Sequence, residues 1–347
     1  MLSFMNDYSE GAHPQVIRAL ARLSEEQNAG YGTDRHAQRA ADLIRTSAHI
    51  PRAQVAYTFG GTQANALVIA AALRPFEAVI AADSGHINVH ETGAIEATGH
   101  TVLTWPHEGG KLTAEGIEEI LWSHSSEHMV SPRMVYLSDT TEWGTVYTKA
   151  ELAAISEVCR KNRLVLYLDG ARLAAALTSS ANDMTLADIA SMTDAFTVGG
   201  TKNGALCGEA IVLCTPELFP DFRFMQKRAG ALPAKGFAVA AQFEALLEGD
   251  LYFRLGEHAN RMAGQLAAVL ENAGVTFYQP PVSNQLFPIF PGVLADLLVR
   301  EVEMELMMPV RGGSVCRLVT SWATKEEQIE AFENVLWNLT RDKGIGE

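Results

Sequence analysis

The chain has 347 residues, 48% of them hydrophobic and 20% charged, and its formal net charge at pH 7 is −14. This length predicts about two domains with ample material for a core, and the acidic balance argues against a general nucleic-acid or anionic-membrane surface. The longest nearly apolar run, ALVIAAAL (66–73), is much too short to span a membrane.

The four cysteines and the N-terminal residues indicate the cellular compartment of the protein. No cysteine belongs to a C-x-x-C pair and all lie in apolar neighbourhoods, which favours buried reduced thiols over disulfides or a zinc site. The first residues, MLSFMNDYSEG, contain no basic region followed by an apolar stretch, so we expect no signal peptide. These features predict a cytoplasmic protein.

Residues 1–13 precede the first predicted helix and are expected to form an extended arm. From about residue 54, segments typical of buried strands alternate with amphipathic segments. The predicted strands are QVAYTF, AVIAAD, TVLTW, RMVYLSD, RLVLYLDG, DAFTV and EAIVLC, and the predicted helices include TQANALVIAAAL, NVHETGAIEA, TAEGIEEILWSH and TKAELAAISEVCRKN. This alternation predicts an α/β fold with a mostly parallel sheet and helices on both faces.

The pattern changes after residue 250. A long amphipathic segment, YFRLGEHANRMAGQLAAVLENAG, is followed by short strand-like segments and a final helix, with Gly274 as the stop signal of the long helix. We therefore predict a large domain over 14–250 and a smaller C-terminal α+β domain over 251–347.

Polar segments follow the predicted strands at the sheet edge where open α/β folds bind ligands. They are GGTQAN, SGHINVHE, TTEWG, GAR and GGTKNG. In GGTQAN, Gly61 and Thr62 open a helix whose first amides suit a phosphate. The competing interpretation is an ordinary turn with Thr62 as helix N-cap. The segment is neither a Walker A loop nor a G-x-G-x-x-G fingerprint.

Two charged residues stand among these segments. Asp169 ends a buried strand, so it is either paired structurally with Arg172 or faces a protonated ring nitrogen of a cofactor. Lys202, in GGTKNG, is either a solvated loop lysine or an amine confined by small neighbours, whose pKa is then lowered enough for Schiff-base chemistry.

A phosphate site, a buried aspartate and a confined lysine on one sheet together match the needs of pyridoxal 5′-phosphate. The lysine holds the aldehyde, the aspartate keeps the pyridine nitrogen protonated, and the helix end anchors the phosphate. His86, His90 and Glu91 could suggest a metal site instead, but HINVHE is not H-E-x-x-H and no third ligand is evident.

In this order the motifs resemble the threonine aldolase and β-eliminating lyase group of fold-type-I pyridoxal-phosphate enzymes. The likeness covers nearly the whole chain, through NDYSEGAHP, GYGTD, GGTQAN, HINVHETGA, LDGAR and GGTKNG. It implies the fold-type-I architecture, a homodimer or homotetramer with shared active sites, and a small-molecule amino acid as substrate.

The resemblance also implies roles for individual residues. Gly61 and Thr62 would bind the phosphate of the cofactor, and Lys202 would bond to its aldehyde. His86 would stack on the ring and take part in proton transfer, and Asp169 would pair with the ring nitrogen. Arg172 would contact the phenolic oxygen of the cofactor or the carboxylate of the substrate. Arg317 in CRLVTSW is assigned to the substrate carboxylate, and Asn6, which stands where the group usually has serine, is assigned to substrate binding.

Other positions depart from the usual pattern of the group. Glu142 of TTEWG aligns with a histidine near the substrate β-hydroxyl, and a carboxylate can accept that proton as an imidazole can. Its competing role is to cap the loop or to pair with a basic residue of a neighbouring subunit. The segment KRAGALPAK (227–235) replaces a more glycine-rich segment whose basic residues can reach a neighbouring subunit's phosphate, a role that Lys227 and Lys235 would take here.

The implied reaction is retro-aldol cleavage of a β-hydroxy-α-amino acid to glycine and an aldehyde. One rival is β-elimination to pyruvate and ammonia, which would use the same cofactor apparatus. A second rival is a catalytically silent protein of this fold, against which the joint presence of Asp169, Arg172 and Lys202 argues.

Overall fold

The computed structural model describes residues 2–341. A seven-stranded sheet forms its centre, and the chain order of the elements up to residue 213 is as follows: β1 (Leu2–Ser3), α1 (Pro14–Arg22), α2 (Arg35–Ala48), β2 (Gln54–Thr58), α3 (Gly61–Ala72), β3 (Glu77–Ala82), α4 (His86–Val89), β4 (Val102–Trp105), α5 (Ala114–Ser123), β5 (Ser131–Ser138), α6 (Lys149–Asn162), β6 (Val165–Asp169), α7 (Leu173–Leu177), α8 (Leu186–Met192), β7 (Ala195–Gly199) and β8 (Glu209–Leu213).

The remaining elements are mostly helices and a second, antiparallel sheet: α9 (Phe222–Arg228), α10 (Phe237–Leu247), α11 (Leu251–Asn272), β9 (Thr276–Phe277), β10 (Gln285–Leu286), β11 (Pro288–Phe290), α12 (Gly292–Glu301), β12 (Val302–Glu303), β13 (Glu305–Val310), β14 (Gly313–Val319) and α13 (Glu326–Arg341). Within residues 2–341, no helix combines the length and hydropathy needed to cross a membrane.

The central sheet has the strand order β2-β8-β7-β6-β5-β3-β4. Only β8 runs antiparallel to its neighbours, β2 and β7. The other pairs of neighbours are parallel, so that β3, β5, β6 and β7 end at the same edge. The predicted mostly parallel α/β sheet is therefore confirmed.

Apolar side chains cover both faces of this sheet, as the continuous apolar runs of its strands require. One face packs against Ile44 of α2 and Phe243 of α10, and the other against Leu67 of α3 and Phe222 of α9, all of them almost completely buried. A rigid two-sided core of this kind fixes the strand ends that carry the polar segments.

One predicted helix, around NVHETGAIEA, is wrong. The chain forms the short α4 and then a 3₁₀ turn at Glu96–Thr98, because Thr92 and Gly93 between them have left-handed φ angles of 52° and 74°. A left-handed pair cannot continue an α-helix. The break lets the Glu91 side chain reach Asn65 of α3.

The first residues of the N-terminal arm pair with the C-terminal unit. β1 pairs in parallel with β12, and Phe4 packs edge-on against Phe332 of α13 at a ring distance of 5.8 Å. The division into 1–13, 14–250 and 251–347 stays a prediction, and residues 1 and 342–347 lie outside the described residues.

Candidate active site

A cavity of about 300 Å³ opens where β5, β6 and β7 end and α3 begins. That volume is at the lower end of ordinary small-molecule sites. Seven of the residues singled out from the sequence line it, namely Gly61, Thr62, His86, Glu142, Asp169, Arg172 and Lys202.

The start of α3 forms one wall of the cavity. Gly60 is the N-cap and provides no side-chain cap, and the amides of Gly61, Thr62 and Gln63 meet no acceptor within residues 2–341. A Cβ at Gly60 or Gly61 would meet no atom within 4 Å, so the space in front of these amides is open. The interpretation of Thr62 as N-cap is wrong, because Thr62 lies inside the helix. The free amides instead suit an anion.

Asp169 stands at the end of β6, buried at 5% exposure. Its Oδ2 accepts hydrogen bonds from Asn65 Nδ2 at 2.9 Å and from the Tyr136 hydroxyl at 2.8 Å, and its Oδ1 accepts from the Ala171 amide at 3.0 Å. Arg172 does not pair with it, since its guanidinium is bound to Asp7. The structural Asp169–Arg172 pair is therefore wrong.

The Lys202 side chain reaches the cavity from the loop after β7. Its amine has no hydrogen bond and no carboxylate within 4.0 Å among residues 2–341. Burial, together with the positive charge of Arg172, lowers the pKa of Lys202. A confined amine that is more easily deprotonated is the form that bonds to an aldehyde.

Glu209 also lines this cavity, and sequence analysis did not identify it. It begins β8 at 4% exposure, and the Gly200 amide donates to its Oε2 at 3.3 Å. Burial raises the pKa of Glu209 to about 8. The sequence signal for Glu209 is its position at the start of the apolar segment EAIVLC. Burying a carboxylate in a strand costs free energy unless it has a partner or a function.

His86 begins α4, and its Nδ1 lies 2.8 Å from Glu91 Oε1. The Glu91 side chain is fully buried, and Asn65 Nδ2 donates to the same oxygen at 2.8 Å. The glutamate thus serves as the partner of His86. Neither Glu91 nor Asn65 was assigned a role from sequence.

Glu142 follows β5 and lines the cavity without a hydrogen bond or ion pair in the described part of the chain. Its loop is held elsewhere, because Trp143 packs against Tyr278 and Phe287 at ring distances of 5.1 and 5.3 Å. No loop-capping contact of Glu142 is present between residues 2 and 341, so its carboxylate is available to a ligand.

Asn6 and Arg317 are not among the residues that line this cavity. Asn6 Oδ1 accepts from the Tyr8 amide and the Ser9 hydroxyl, both at 2.9 Å, and thereby orients Tyr8, which does line it. Arg317 pairs with Glu305 on the neighbouring strand at 2.5 Å. Their roles in substrate binding stay predictions.

Lys227 and Lys235 also lie away from the cavity. The ammonium of Lys227 sits over the Tyr31 ring, 4.6 Å from its centroid, and Lys235 is exposed. That they reach a neighbouring subunit's phosphate stays a prediction.

The residues present fit pyridoxal phosphate. Among residues 2–341, three helix amides without an acceptor suit a phosphate, and the unpaired amine of Lys202 suits an aldehyde. The buried carboxylate of Asp169 suits a protonated ring nitrogen, and it is fixed by four donors, the fourth being the Thr197 hydroxyl at 3.3 Å. The orientation of the Asp169 carboxylate is set by its neighbours, so it is ready before any ligand binds.

Comparisons with known proteins agree with this geometry. The β-eliminating lyase family model matches residues 5–290. A solved structure of a Leishmania major threonine aldolase is 48% identical, covers 98% of this chain and 99% of its own, and superposes with a TM-score of 0.95. The low-specificity L-threonine aldolase of Pseudomonas aeruginosa is 34% identical over 287 residues, covering 82% of this chain and 83% of its own length.

A second low-specificity L-threonine aldolase, from Pseudomonas sp., is 31% identical over 329 residues and covers 94% of each chain. These matches confirm the predicted fold-type-I architecture. Because the family model accounts for most of its length, the chain belongs to the β-eliminating lyase family.

Proposed function

We propose that this protein is a pyridoxal-phosphate-dependent aldehyde-lyase that cleaves a β-hydroxy-α-amino acid of the threonine type to glycine and an aldehyde. The observation that carries the proposal is the unpaired Lys202 amine, in one cavity with the fixed Asp169 carboxylate and the free amides at the start of α3. The relatives described above are named as threonine aldolases, which supports the choice of reaction.

Bound pyridoxal phosphate would supply the electron sink that Cα–Cβ cleavage requires. Lys202 would hold its aldehyde, Asp169 would accept the hydrogen bond of its ring nitrogen, and the amides of Gly61 and Thr62 would hold its phosphate. The carboxylate of Asp169 would stabilise the protonated form of the ring nitrogen electrostatically.

The substrate is held and deprotonated by other side chains. Nη1 of Arg172, which Asp7 does not use, is available to a carboxylate, and Arg317 and Asn6 are proposed to assist it. Glu142 takes the proton of the β-hydroxyl. The Cα–Cβ bond then breaks, the β-carbon leaves as the aldehyde, and the proton that Cα gains completes glycine.

The assembly is proposed to be a cytoplasmic homodimer or homotetramer. Two aromatic side chains that line the cavity, Tyr8 and Phe59, are exposed at 54% and 47%. Exposed aromatic side chains at the mouth of a site are typical of surfaces covered by a partner. Light scattering of the purified protein gives the number of subunits.

A product assay tests the function. The purified protein, loaded with pyridoxal phosphate, is incubated with a panel of β-hydroxy amino acids, and glycine, aldehyde, pyruvate and ammonia are quantified. We expect glycine and aldehyde in equal amounts. Pyruvate and ammonia would instead identify the β-eliminating alternative, and the absence of all four products would favour a silent binding protein.

A further inference from the structure

His86, Glu91, Asn65 and Asp169 form one continuous chain of hydrogen bonds along the cavity wall. His86 Nδ1 lies 2.8 Å from Glu91 Oε1, and the amino group of Asn65 donates to Glu91 Oε1 at 2.8 Å and to Asp169 Oδ2 at 2.9 Å. Asn65 and the side chain of Glu91 are both fully buried.

The orientation of the Asn65 amide is not free. The hydroxyl of Tyr167 donates to its Oδ1 at 2.7 Å, which leaves the amino group to face both carboxylates. One neutral amino group therefore links two buried carboxylates, and it cannot neutralise the charge of either.

The two carboxylates need cationic partners. A buried carboxylate without a nearby cation is strongly disfavoured, and Oε2 of Glu91 has no hydrogen-bond partner among residues 2–341. The protonated ring nitrogen of the cofactor would face Asp169 under the proposed function. His86 is the group in contact with Glu91 that can carry a positive charge.

The charged and titratable groups around His86 favour its protonated form. Glu91 follows on its own segment, Glu142 and Asp169 face it from the ends of β5 and β6, and Lys202 opposes them from the loop after β7. The His90 ring lies 5.5 Å away. Burial alone would lower the pKa of His86, but the hydrogen bond with Glu91 and the charge of Glu142 outweigh it and raise the pKa.

We propose that Glu91 and Asn65 are positioning residues that hold His86 as an imidazolium at the cavity and couple it to Asp169. His86 then donates a hydrogen bond or proton through Nε2 and does not serve as the base. This mechanistic consequence rests on the proposed function and leaves Glu142 as the base. The protonation state itself does not depend on the reaction.

The test is a pH titration of the imidazole ¹⁵N signals in the cofactor-loaded enzyme without substrate. The His86 signal is assigned by its loss in His86→Gln. We expect its midpoint above the ordinary value of about 6.5, and Glu91→Gln should lower it by about one unit or more, because an opposite charge in contact shifts a pKa by that amount. Glu96→Gln, an exposed glutamate five residues on, should leave it unchanged.

A wild-type midpoint at or below about 6.5 would overturn the proposal, and so would an unchanged midpoint in Glu91→Gln. The wild-type titration decides the matter even where Glu91→Gln does not fold. An enzyme without aldolase activity but with a raised His86 midpoint would reject the proposed function and retain this inference.

Discussion

The guanidinium of Arg172 donates from Nε and Nη2 to the two carboxylate oxygens of Asp7, at 2.7 and 3.0 Å. Asp7 belongs to the N-terminal arm, and Asn284, near the C-terminal sheet, donates to the same carboxylate at 3.0 Å. A single buried carboxylate thus connects the arm, the central sheet and the C-terminal unit beside the cavity. A bidentate contact of this kind also fixes the orientation in which Arg172 can meet a ligand.

Lys202→Ala should abolish the visible absorption of bound cofactor while circular dichroism shows an unchanged fold. The amine it removes is the unpaired cavity amine, whose lowered pKa suits a covalent bond to an aldehyde. Lys161→Ala, at an exposed helical lysine, is the matched control. Borohydride reduction of the wild-type enzyme followed by peptide mapping should place the cofactor on Lys202; attachment to another lysine would contradict the assignment.

Asp169→Asn should lower turnover by ~10²-fold, the usual effect of removing a fixed electrostatic partner, with a much smaller effect on the thermal midpoint. Asparagine is preferred to alanine, because alanine would leave the buried donors of Asn65 and Tyr136 without an acceptor. Turnover is measured in cofactor-saturated protein, with the exposed Asp42→Asn as control. Near-normal turnover would return Asp169 to a purely structural role.

Arg317→Ala should weaken substrate binding by about 1.5–3 kcal/mol, the usual size of a hydrogen bond to a charged group, and leave cofactor loading intact. The buried Nε of Arg317 has no partner among residues 2–341, whereas its Nη2 is held by Glu305. Apparent affinity for the amino acid measures the effect, and the exposed Arg311→Ala is the comparison. If only Arg311→Ala weakens binding, the role belongs to Arg311.

Glu142→Gln should keep cofactor loading and glycine binding but slow Cα–Cβ cleavage by ~10²-fold, at the lower end of general-base effects. The amide has nearly the same shape and cannot accept the hydroxyl proton. The acidic limb of the pH–rate profile, which reports protonation of the base, should disappear. Wild-type cleavage with an unchanged acidic limb would remove Glu142 from the mechanism.

Asp139→Asn should change how stability depends on pH. Burial raises the pKa of Asp139 to about 8 from its ordinary 3.8. Between these two values the folded chain keeps a proton that the unfolded chain has lost, so this group makes the protein less stable as the pH rises through that window, and its effect levels off above about 8. Glu209 acts in the same direction.

The asparagine variant lacks the Asp139 contribution, so its thermal midpoint relative to wild type should increase between about pH 5 and pH 8. Unfolding midpoints of both proteins across this range provide the measurement, with Asp42→Asn expected to follow wild type. Parallel curves for Asp139→Asn and wild type would show that Asp139 is already ionised in the fold.

The sequence alone determined the features that depend on local pattern. Continuous apolar runs indicated the strands of the central sheet, caps and amphipathic spacing indicated most of its helices, and the polar segments after the strands indicated Asp169 and Lys202 as cavity residues. These predictions are correct because the periods of strands and helices can be recognised in neighbouring residues, and because parallel strands bring their carboxyl ends to one edge of the sheet.

Only the tertiary structure decided which distant polar groups meet. Asp7 and Arg172 are 165 positions apart, and Asn65 and Asp169 are 104 apart. The antiparallel direction of β8, which places Glu209 in the cavity, was likewise not visible in its apolar run. An apolar run has the same appearance in either direction, and a buried charge finds its partner through the packing of the whole core, which no local pattern encodes.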